Sequence, residues 1–252
     1  MNPRQPILSL QNIHKAFGPK KIHQGVTFDL IDGEILALFG GSGTGKSVIL
    51  RSIIGLERPD KGQIVFEEQD ITKCGEEELV EVRKKIGYVF QNGALFDSMT
   101  VEENLAYPLE EHTQLSEVEI RERIQEMLEL IGLKGCEKLL PANLSGGMQK
   151  RVGAARAIIM KPKIILYDEP TAGLDPFNTQ RLLDLMKRIQ TQKREGGNAA
   201  IFVTHDIPAA FEVADRVAIL YNGRIHTLDT TENVKNSKDP FVKAFINGEE
   251  IH

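Results

Sequence analysis

A glycine-rich run early in the chain combines the residue types that bind phosphate. Residues 40–47 read Gly-Gly-Ser-Gly-Thr-Gly-Lys-Ser, which fits the pattern Gly-x-x-x-x-Gly-Lys-Ser/Thr. Glycines let the backbone curl so that successive N–H groups point at phosphate oxygens, and a helix that starts there adds the positive end of its dipole. The apolar residues 35–39 and the helix-like residues 48–54 predict the flanking strand and helix. The run therefore predicts a P-loop, the phosphate-binding turn of a nucleotide site.

The side chains of this loop divide into those that do chemistry and those that shape it. Lys46 can reach the β- and γ-phosphates of a nucleotide, and the Ser47 hydroxyl can ligate Mg²⁺. The other positions predicted to contact ATP are Gly40, Gly41, Ser42, Gly43, Thr44, Gly45 and Val48. The alternative is a glycine-rich turn in an ordinary α/β protein, and the predicted strand and helix on either side disfavour it.

Two acidic residues follow a second apolar run. Residues 164–167 read Ile-Ile-Leu-Tyr, and Asp168 and Glu169 come directly after them. Asp168 is predicted to hold Mg²⁺, directly or through water, as the second half of a P-loop site. Glu169 is then placed to accept a proton from an attacking water molecule or to polarise it. Acids are common at strand ends, so the roles predicted for this pair depend on the presence of the P-loop.

The composition narrows the class of protein. The chain has 252 residues, of which 41% are hydrophobic, enough for one large domain or two small ones. Its net charge of -5, with both signs mixed throughout, disfavours a nucleic-acid partner. Cys74 and Cys136 lie far apart without metal-ligand spacing and are interpreted as reduced thiols. We expect neither a signal peptide nor a spanning segment, so any membrane role should come through a partner.

Apolar patterning predicts the elements that position these residues. Short runs rich in β-branched residues indicate strands at residues 7–13, 26–30, 35–39, 64–66, 86–90, 164–167, 200–204 and 217–221. Asn222-Gly223 predicts a hairpin into residues 224–228. Ser116 and Glu119 form a capping-box pattern that predicts the start of a helix with one apolar face, and Gly132 marks the predicted end of that helix. The prediction is an α/β core, residues 1–91 and 161–228, interrupted by a mostly helical insertion near 92–160.

Residues 144–149 read Leu-Ser-Gly-Gly-Met-Gln and resemble the signature motif of ATP-binding cassette (ABC) transporters. The family's other landmarks occur in the expected order along most of the chain. Phe17 resembles the aromatic residue that stacks on adenine, and Gln91 the Q-loop glutamine. Residues 172–175 resemble the D-loop, which includes Asp175, and His205 resembles the switch histidine. Phe17 as an ordinary buried aromatic is the alternative for that position.

The resemblance implies a fold and a mechanism. The fold is the α/β P-loop NTPase fold of ABC ATPases, with an antiparallel β subdomain and an inserted helical subdomain at about 92–160. The ATPase domain would span residues 1–228, and residues 229–252 would form a short C-terminal tail. In this family two ATPase domains sandwich two ATP molecules, so hydrolysis would need a dimer. Contacts to the partner's ATP would come from Ser145, Gly146 and Gly147.

The resemblance also assigns the catalytic parts. Glu169 would activate water and His205 would hold the γ-phosphate, while Lys46 stabilises charge. Gln91 would report the nucleotide state to a membrane partner and, with Ser47 and Asp168, ligate Mg²⁺.

A finer resemblance lies in residues 91–112, together with the P-loop and residues 151–158. These segments look like the ATPase of MCE-type lipid transporters, the Mla or toluene-tolerance group. The resemblance implies a membrane permease, an MCE-domain lipid-binding protein and a peripheral location on the cytoplasmic face of the inner membrane. The departures from general ABC P-loops, Gly41 for Pro and Val48 for Thr, leave the phosphate contacts intact.

Other functions stay open at this point. A polar amino-acid importer ATPase is the nearest alternative, and the residues after Gln91 disfavour it. A non-transport ABC ATPase is disfavoured because one ATPase domain is present, without a coiled-coil insertion or zinc ligands. A nucleotide-binding module without hydrolysis is disfavoured by Glu169. Apolar residues at helical spacing in the tail, Phe241, Val242, Phe245 and Ile246, could cross to a second subunit or pack on their own chain.

Overall fold

A computed structural model describes residues 6–191 and 198–249. The chain divides into two compact units, one drawn from residues 1–79 and 199–252 and the other from residues 80–198. In chain order the strands are β1 (Pro6–Phe17), β2 (Lys20–Ile31), β3 (Ile35–Phe39), β4 (Lys61–Phe66), β5 (Gln69–Asp70), β6 (Ile86–Val89), β7 (Ile164–Asp168), β8 (Ala199–Val203), β9 (Arg216–Tyr221) and β10 (Arg224–Thr230). The helices are α1 (Lys46–Ile53), α2 (Glu76–Lys84), α3 (Val101–His112), α4 (Glu117–Leu130), α5 (Gly146–Ile158), α6 (Pro176–Thr191), α7 (Ile207–Val213), α8 (Thr231–Lys235) and α9 (Pro240–Asn247).

The first unit contains two kinds of strand arrangement. Strands β2, β1, β4 and β5 form an antiparallel sheet in that order. Strand β3 lies between β8 and β9 and pairs in parallel with both. Every residue of β3 and β8 is buried, as expected for a parallel strand covered on both faces. The predicted hairpin at Asn222-Gly223 is confirmed, because β9 and β10 pair antiparallel across it.

The second unit combines two parallel strands with helices. Strand β6 pairs with β7 in parallel, and the helices α3, α4 and α5 fall inside the predicted insertion. The predicted capping box of Ser116 and Glu119 starts α4, and Thr100 with Glu103 forms a second one at the start of α3. Gly132 follows the end of α4 with a φ of 67°, which confirms the predicted stop.

The structure extends the predicted strands and adds elements that the pattern did not reveal. Strand β2 runs from Lys20, six residues before the predicted start, because its polar first half pairs with the end of β1. Phe90 lies one residue beyond β6. Strand β5 and helix α8 are too short, and helix α2 too polar, to stand out in the sequence. In the described part of the chain, every helix is too short or too polar to cross a bilayer.

The described part of the C-terminal tail packs on its own chain. Phe241, in α9, lies 4.6 Å from the ring of Tyr221 and 4.0 Å from that of His226, measured between ring centroids. The ring of Phe245 lies 6.1 Å from that of Phe39. These contacts show Phe241 and Phe245 packing on their own chain, which is one of the two possibilities given for the tail. Residues 250–252 of the predicted tail, and residues 1–5 and 192–197 of the predicted ATPase domain, lie outside the described residues.

Candidate functional site

The predicted P-loop connects strand β3 to helix α1. Residues 40–45 form the turn, and α1 begins at Lys46, as the motif requires. The Lys46 ammonium donates to the carbonyl oxygens of Gly40, at 2.8 Å, and Gly41, at 3.1 Å. The Lys46 side chain is therefore held inside the curl of the loop, where a phosphate cradled by the backbone would meet its charge.

Close packing beneath the loop explains the glycine at its end. Gly45 has a φ of 97°, and a Cβ atom there would lie 2.3 Å from Ile22 Cγ2 and 2.6 Å from His23 Nε2. The His23 ring lies 3.1 Å, at Nε2, from the Gly45 carbonyl oxygen. Since a carbonyl only accepts hydrogen bonds, His23 donates through Nε2. Strand β2 thus supports the P-loop through one buried side chain.

The start of helix α1 suits an anion. Gly45 offers no capping side chain, and the first turn contains no acidic residue. The positive end of the helix dipole therefore faces the loop without a carboxylate of its own to neutralise it. Together with Lys46 and the Ser47 hydroxyl, this arrangement fits the phosphates of a nucleotide.

Two further predicted residues belong to the same unit. Phe17 ends β1 with 45% of its surface exposed, and the Lys15 ammonium lies 5.1 Å from its ring centroid. It is thus not a buried core aromatic, which removes the alternative given above. His205 is exposed in the short link between β8 and α7.

The two predicted acids lie in the second unit at the end of β7. The Tyr88 hydroxyl, on the paired strand β6, donates to Asp168 Oδ2 at 2.8 Å and so fixes the carboxylate. Glu169 has a φ of 50°, in the left-handed region that residues other than glycine rarely adopt. Such outliers are common where function constrains the backbone, which favours a functional role for Glu169.

Lys150, on helix α5, anchors the turn that follows Glu169. Its ammonium donates to the carbonyl oxygens of Pro170, at 3.1 Å, and Ala172. Burial lowers the pKa of Lys150, and the nearby negative charge of Glu169 opposes that shift. A single side chain thus connects the helix that begins within the Leu-Ser-Gly-Gly motif to the turn after the acidic pair.

The motif itself starts helix α5. Ser145 is its exposed N-cap and accepts a hydrogen bond from the Met148 N–H at 3.3 Å. Gly147 is buried, and a Cβ atom there would lie 2.6 Å from the side chain of Asn178 in α6. Asn178 in turn donates to Asp175 at 2.6 Å and, through its backbone N–H, at 3.0 Å. These bonds, the backbone one foremost, hold the pKa of Asp175 below its usual value.

The oxygen donors named for Mg²⁺ have the right chemistry. Gln91 is exposed just after β6, Asp168 is half-buried at the end of β7, and Ser47 lies in the first turn of α1. Mg²⁺ prefers oxygen ligands and is usually held by one or two protein groups together with substrate phosphates. Residues 6–191 and 198–249 contain no cluster of three or more His, Cys, Asp or Glu that could hold a metal unaided.

The predicted residues divide between the two units. The P-loop, Phe17 and His205 belong to the first, while Gln91, residues 145–147, Asp168, Glu169 and Asp175 belong to the second. The supporting side chains were not predicted from the sequence: His23, Tyr88, Lys150 and Asn178. Each of these four side chains contacts a residue on another strand, loop or helix. No short sequence motif contains both residues of such a contact.

Comparison with known proteins defines the class. The model of the ABC transporter family matches residues 23–172. The chain belongs to the ABC transporter family. It is an ATP-binding subunit of an ABC transporter, and it hydrolyses ATP.

Particular relatives refine this picture. The chain is 42% identical over 249 residues to the probable ribonucleotide transport ATP-binding protein mkl of Mycobacterium leprae, covering 99% of this chain and 71% of the relative. It is 37% identical over 246 residues to the intermembrane phospholipid transport system ATP-binding protein MlaF of Haemophilus influenzae, covering 97% and 92%. The dimeric post-hydrolysis structure of the ATP-binding cassette MJ0796 with ADP and Pi matches with a TM-score of 0.80 and 31% identity, over 89% of this chain and 98% of that one.

Proposed function

We propose that this chain powers lipid transport, with phospholipid as the favoured cargo, as a dimer docked on a membrane permease at the cytoplasmic face of the inner membrane. An MCE-domain protein is the expected third component. The observation that carries the proposal is an apolar surface on the second unit, within and beside the segment that resembles lipid-transporter ATPases.

The first part of this surface is a groove of about 310 Å³. Its lining is mainly apolar and includes Ile86, Tyr88, Pro108, Met160 and Pro162. Arginine and histidine side chains stand among these residues, a mixture suited to a short amphipathic helix from a partner. Helix-in-groove docking of this kind is a common mode of peptide recognition.

The second part is an aromatic pair. Phe96 is 42% exposed and Tyr107 39% exposed, with their ring centroids 5.2 Å apart. The Arg156 guanidinium lies 5.1 Å from the Phe96 ring centroid and also lines the groove. An ATPase that acted alone would gain nothing from exposing these rings, so the pair favours a protein partner.

The proposal for the cargo depends on the sequence similarity of the same segment to lipid-transporter ATPases. Residues 91–112 resemble Mla-type ATPases, and one relative is named for intermembrane phospholipid transport. The relative named for ribonucleotide transport is more identical overall, so ribonucleotides are the second candidate. Lipid bound to the purified complex distinguishes the two.

In the proposed mechanism the first unit binds the nucleotide. Phe17 stacks on the base, the P-loop backbone cradles the phosphates, and Lys46 balances their charge. His205 holds the γ-phosphate. Mg²⁺, when bound, neutralises phosphate charge, and Ser47, Asp168 and Gln91 are the residues that would hold it.

The second unit supplies the groups that act on the terminal phosphate. Glu169 accepts the proton of the attacking water while the γ-phosphate bond to the leaving ADP breaks. Ser145 and Gly147 contact the ATP of the other subunit, and Asp175 lies beside them through Asn178. A second copy of the chain then supplies half of the groups that stabilise charge in the transition state, which makes hydrolysis depend on dimerisation.

Replacing Phe96, together with the half-buried Leu95 that precedes it in the chain, by Asp tests the docking surface. The ATPase should leave the membrane fraction yet keep its fold and ATP affinity, because both side chains lie outside the nucleotide-binding residues. Val118→Asp, at a 62% exposed position on α4, is the matched control and should stay membrane-bound. Mass spectrometry of the native complex should find a permease, an MCE-domain protein and bound phospholipid. A co-purifying periplasmic amino-acid-binding protein, or a complex without lipid, would contradict the lipid assignment.

A further inference from the structure

A second cavity in the second unit is lined by several positively charged side chains. It has a volume of about 200 Å³ and is bounded by the end of α4, by α5 and by α6. Three arginines line it, Arg151 from α5 and Arg181 and Arg188 from α6. None of them belongs to the P-loop or to the residues assigned to ATP. A water molecule occupies about 30 Å³ in the liquid, so the cavity is several times larger than one water molecule.

Arg151 is a buried cation with an incomplete set of partners. Only 5% of its surface is exposed, and its Nε atom has no hydrogen-bond partner among the described residues. Its one side-chain hydrogen bond is long, 3.4 Å from Nη1 to Asn178 Oδ1. Burial, and then the neighbouring charge of Arg181, lower the pKa of Arg151. A buried guanidinium without a counter-charge costs free energy, because five donors in a fixed fork need acceptors.

The other two arginines stand at the exposed rim. They lie seven residues apart on α6, about two helical turns, so both face the same side. The Arg181 guanidinium lies 4.3 Å from the Phe177 ring centroid, a cation–π contact that helps to hold it at the rim.

The carboxylates on the lining form no ion pair with these arginines in the described part of the chain. Within the described residues, neither Glu129 nor Asp184 comes within 4.0 Å of an arginine nitrogen of this cavity. Asp184 instead accepts a hydrogen bond from the Gln180 side chain at 3.2 Å. A fold that merely needed these arginines for solubility would have no reason to bury one of them beside two others.

We propose that this cavity is a binding site for a phosphate-bearing anion, separate from the ATP site, with Arg151 at its base and Arg181 and Arg188 at its rim. Guanidinium groups bind phosphate through paired, charge-assisted hydrogen bonds, and three of them match its several acceptor oxygens. Both a soluble phosphate ester and a phospholipid headgroup carry this chemistry. The inference does not depend on the transported cargo proposed above.

Equilibrium dialysis with inorganic phosphate tests the site in the whole 252-residue chain. The P-loop is first saturated with a non-hydrolysable ATP analogue and Mg²⁺, so that phosphate can only report a further site. Phosphate should bind the loaded protein, and Arg181→Gln with Arg188→Gln should weaken that binding at least tenfold. Arg121→Gln, an exposed arginine of α4 away from the cavity, is the matched control and should bind like wild type.

A vesicle assay distinguishes the two sources of the phosphate group. Flotation with phosphatidylcholine vesicles, with and without phosphatidic acid, is compared for the same three proteins. Retention on phosphatidic acid vesicles that disappears in the double variant assigns a lipid headgroup. Binding of inorganic phosphate without such retention assigns a soluble ligand. The proposal is overturned when the loaded wild type binds neither probe, or when the double variant binds like wild type while keeping its unfolding midpoint.

Discussion

The P-loop of the first unit and the signature region of the second are held in place by different means. Around the P-loop, Lys46 bonds to the carbonyls of Gly40 and Gly41, so the motif carries most of its own support. Around the signature, Lys150 reaches carbonyls about twenty residues along the chain, and Gly147 packs on Asn178. The second region therefore depends on residues outside any motif. Substitutions of those residues should change the geometry of the signature region without loss of nucleotide binding.

The largest expected effect comes from Glu169→Gln. Turnover should fall by at least about 100-fold, because general-base catalysis contributes that much or more and the amide cannot accept the proton. ATP affinity should persist, since the nucleotide-binding residues proposed for the first unit are unchanged, and an ATP-bound dimer should accumulate. Steady-state phosphate release and size analysis with Mg-ATP measure both effects. Near-normal turnover would remove Glu169 from the role of general base.

A matched control separates catalysis from simple loss of charge. Glu126→Gln removes an exposed carboxylate from α4, far in sequence from the acidic pair, and should hydrolyse ATP at the wild-type rate. Equal losses in both variants would indicate a change in solubility or assembly rather than in chemistry.

Ser145→Arg tests whether the signature acts in the other subunit. The isolated chain should bind ATP normally, but turnover should fall about 100-fold, the scale of losing one donor to a developing charge. Mixing it with Lys46→Ala should restore part of the activity. One mixed-dimer site then combines an intact P-loop with an intact signature. Loss of ATP affinity in the monomeric Ser145→Arg protein would contradict the assignment.

The same comparison explains how far the sequence alone could lead. The P-loop, the strand before the acidic pair and the capping box of Ser116 depend on neighbours within a few residues, and all are present. The polar first half of β2 was missed because cross-strand pairing, rather than local hydrophobicity, holds it in the sheet. Tyr88 was missed because its role depends on which strand lies next to β7, and one sequence does not give strand order.

Lys150→Met tests the side-chain support of the second unit. The substitution keeps the apolar stem but leaves the carbonyls of Pro170 and Ala172 without their donor, at a cost typical of unsatisfied buried groups. We expect turnover to fall about tenfold through misplacement of Glu169, since small displacements of catalytic groups have effects of that order or larger. ATP affinity should be unchanged. Lys161→Met, at an exposed position before β7, is the control, and equal turnover in both variants would refute the supporting role.

The smallest effect concerns His23, a buried side chain of β2 that supports the P-loop. Its Nε2 donates to Gly45, and its Nδ1 is buried without a hydrogen-bond partner in the described structure. Protonation would place an N–H at Nδ1 with nothing to accept it, so the folded state favours the neutral ring. Burial is the main cause that lowers the pKa of His23, and the charge of Lys15 adds to it, while the Gly45 bond opposes it.

The direction of the pH effect follows from this shift. In the unfolded chain a histidine takes up a proton below about pH 6.5, whereas His23 in the folded chain does so only at lower pH. The unfolded state then binds more protons, so the free energy of unfolding falls as the pH drops below about 6.5. His23→Gln can keep the bond to Gly45 through its amide but cannot titrate. Its thermal midpoint between pH 7.5 and 5.5 should therefore fall by a few degrees less than that of wild type, about 2–4 °C for each kcal/mol. His112→Gln, which removes a histidine from α3 in the second unit, is the control for the loss of a histidine as such. If the midpoint of His23→Gln falls with pH as steeply as that of wild type, His23 does not couple the P-loop to pH.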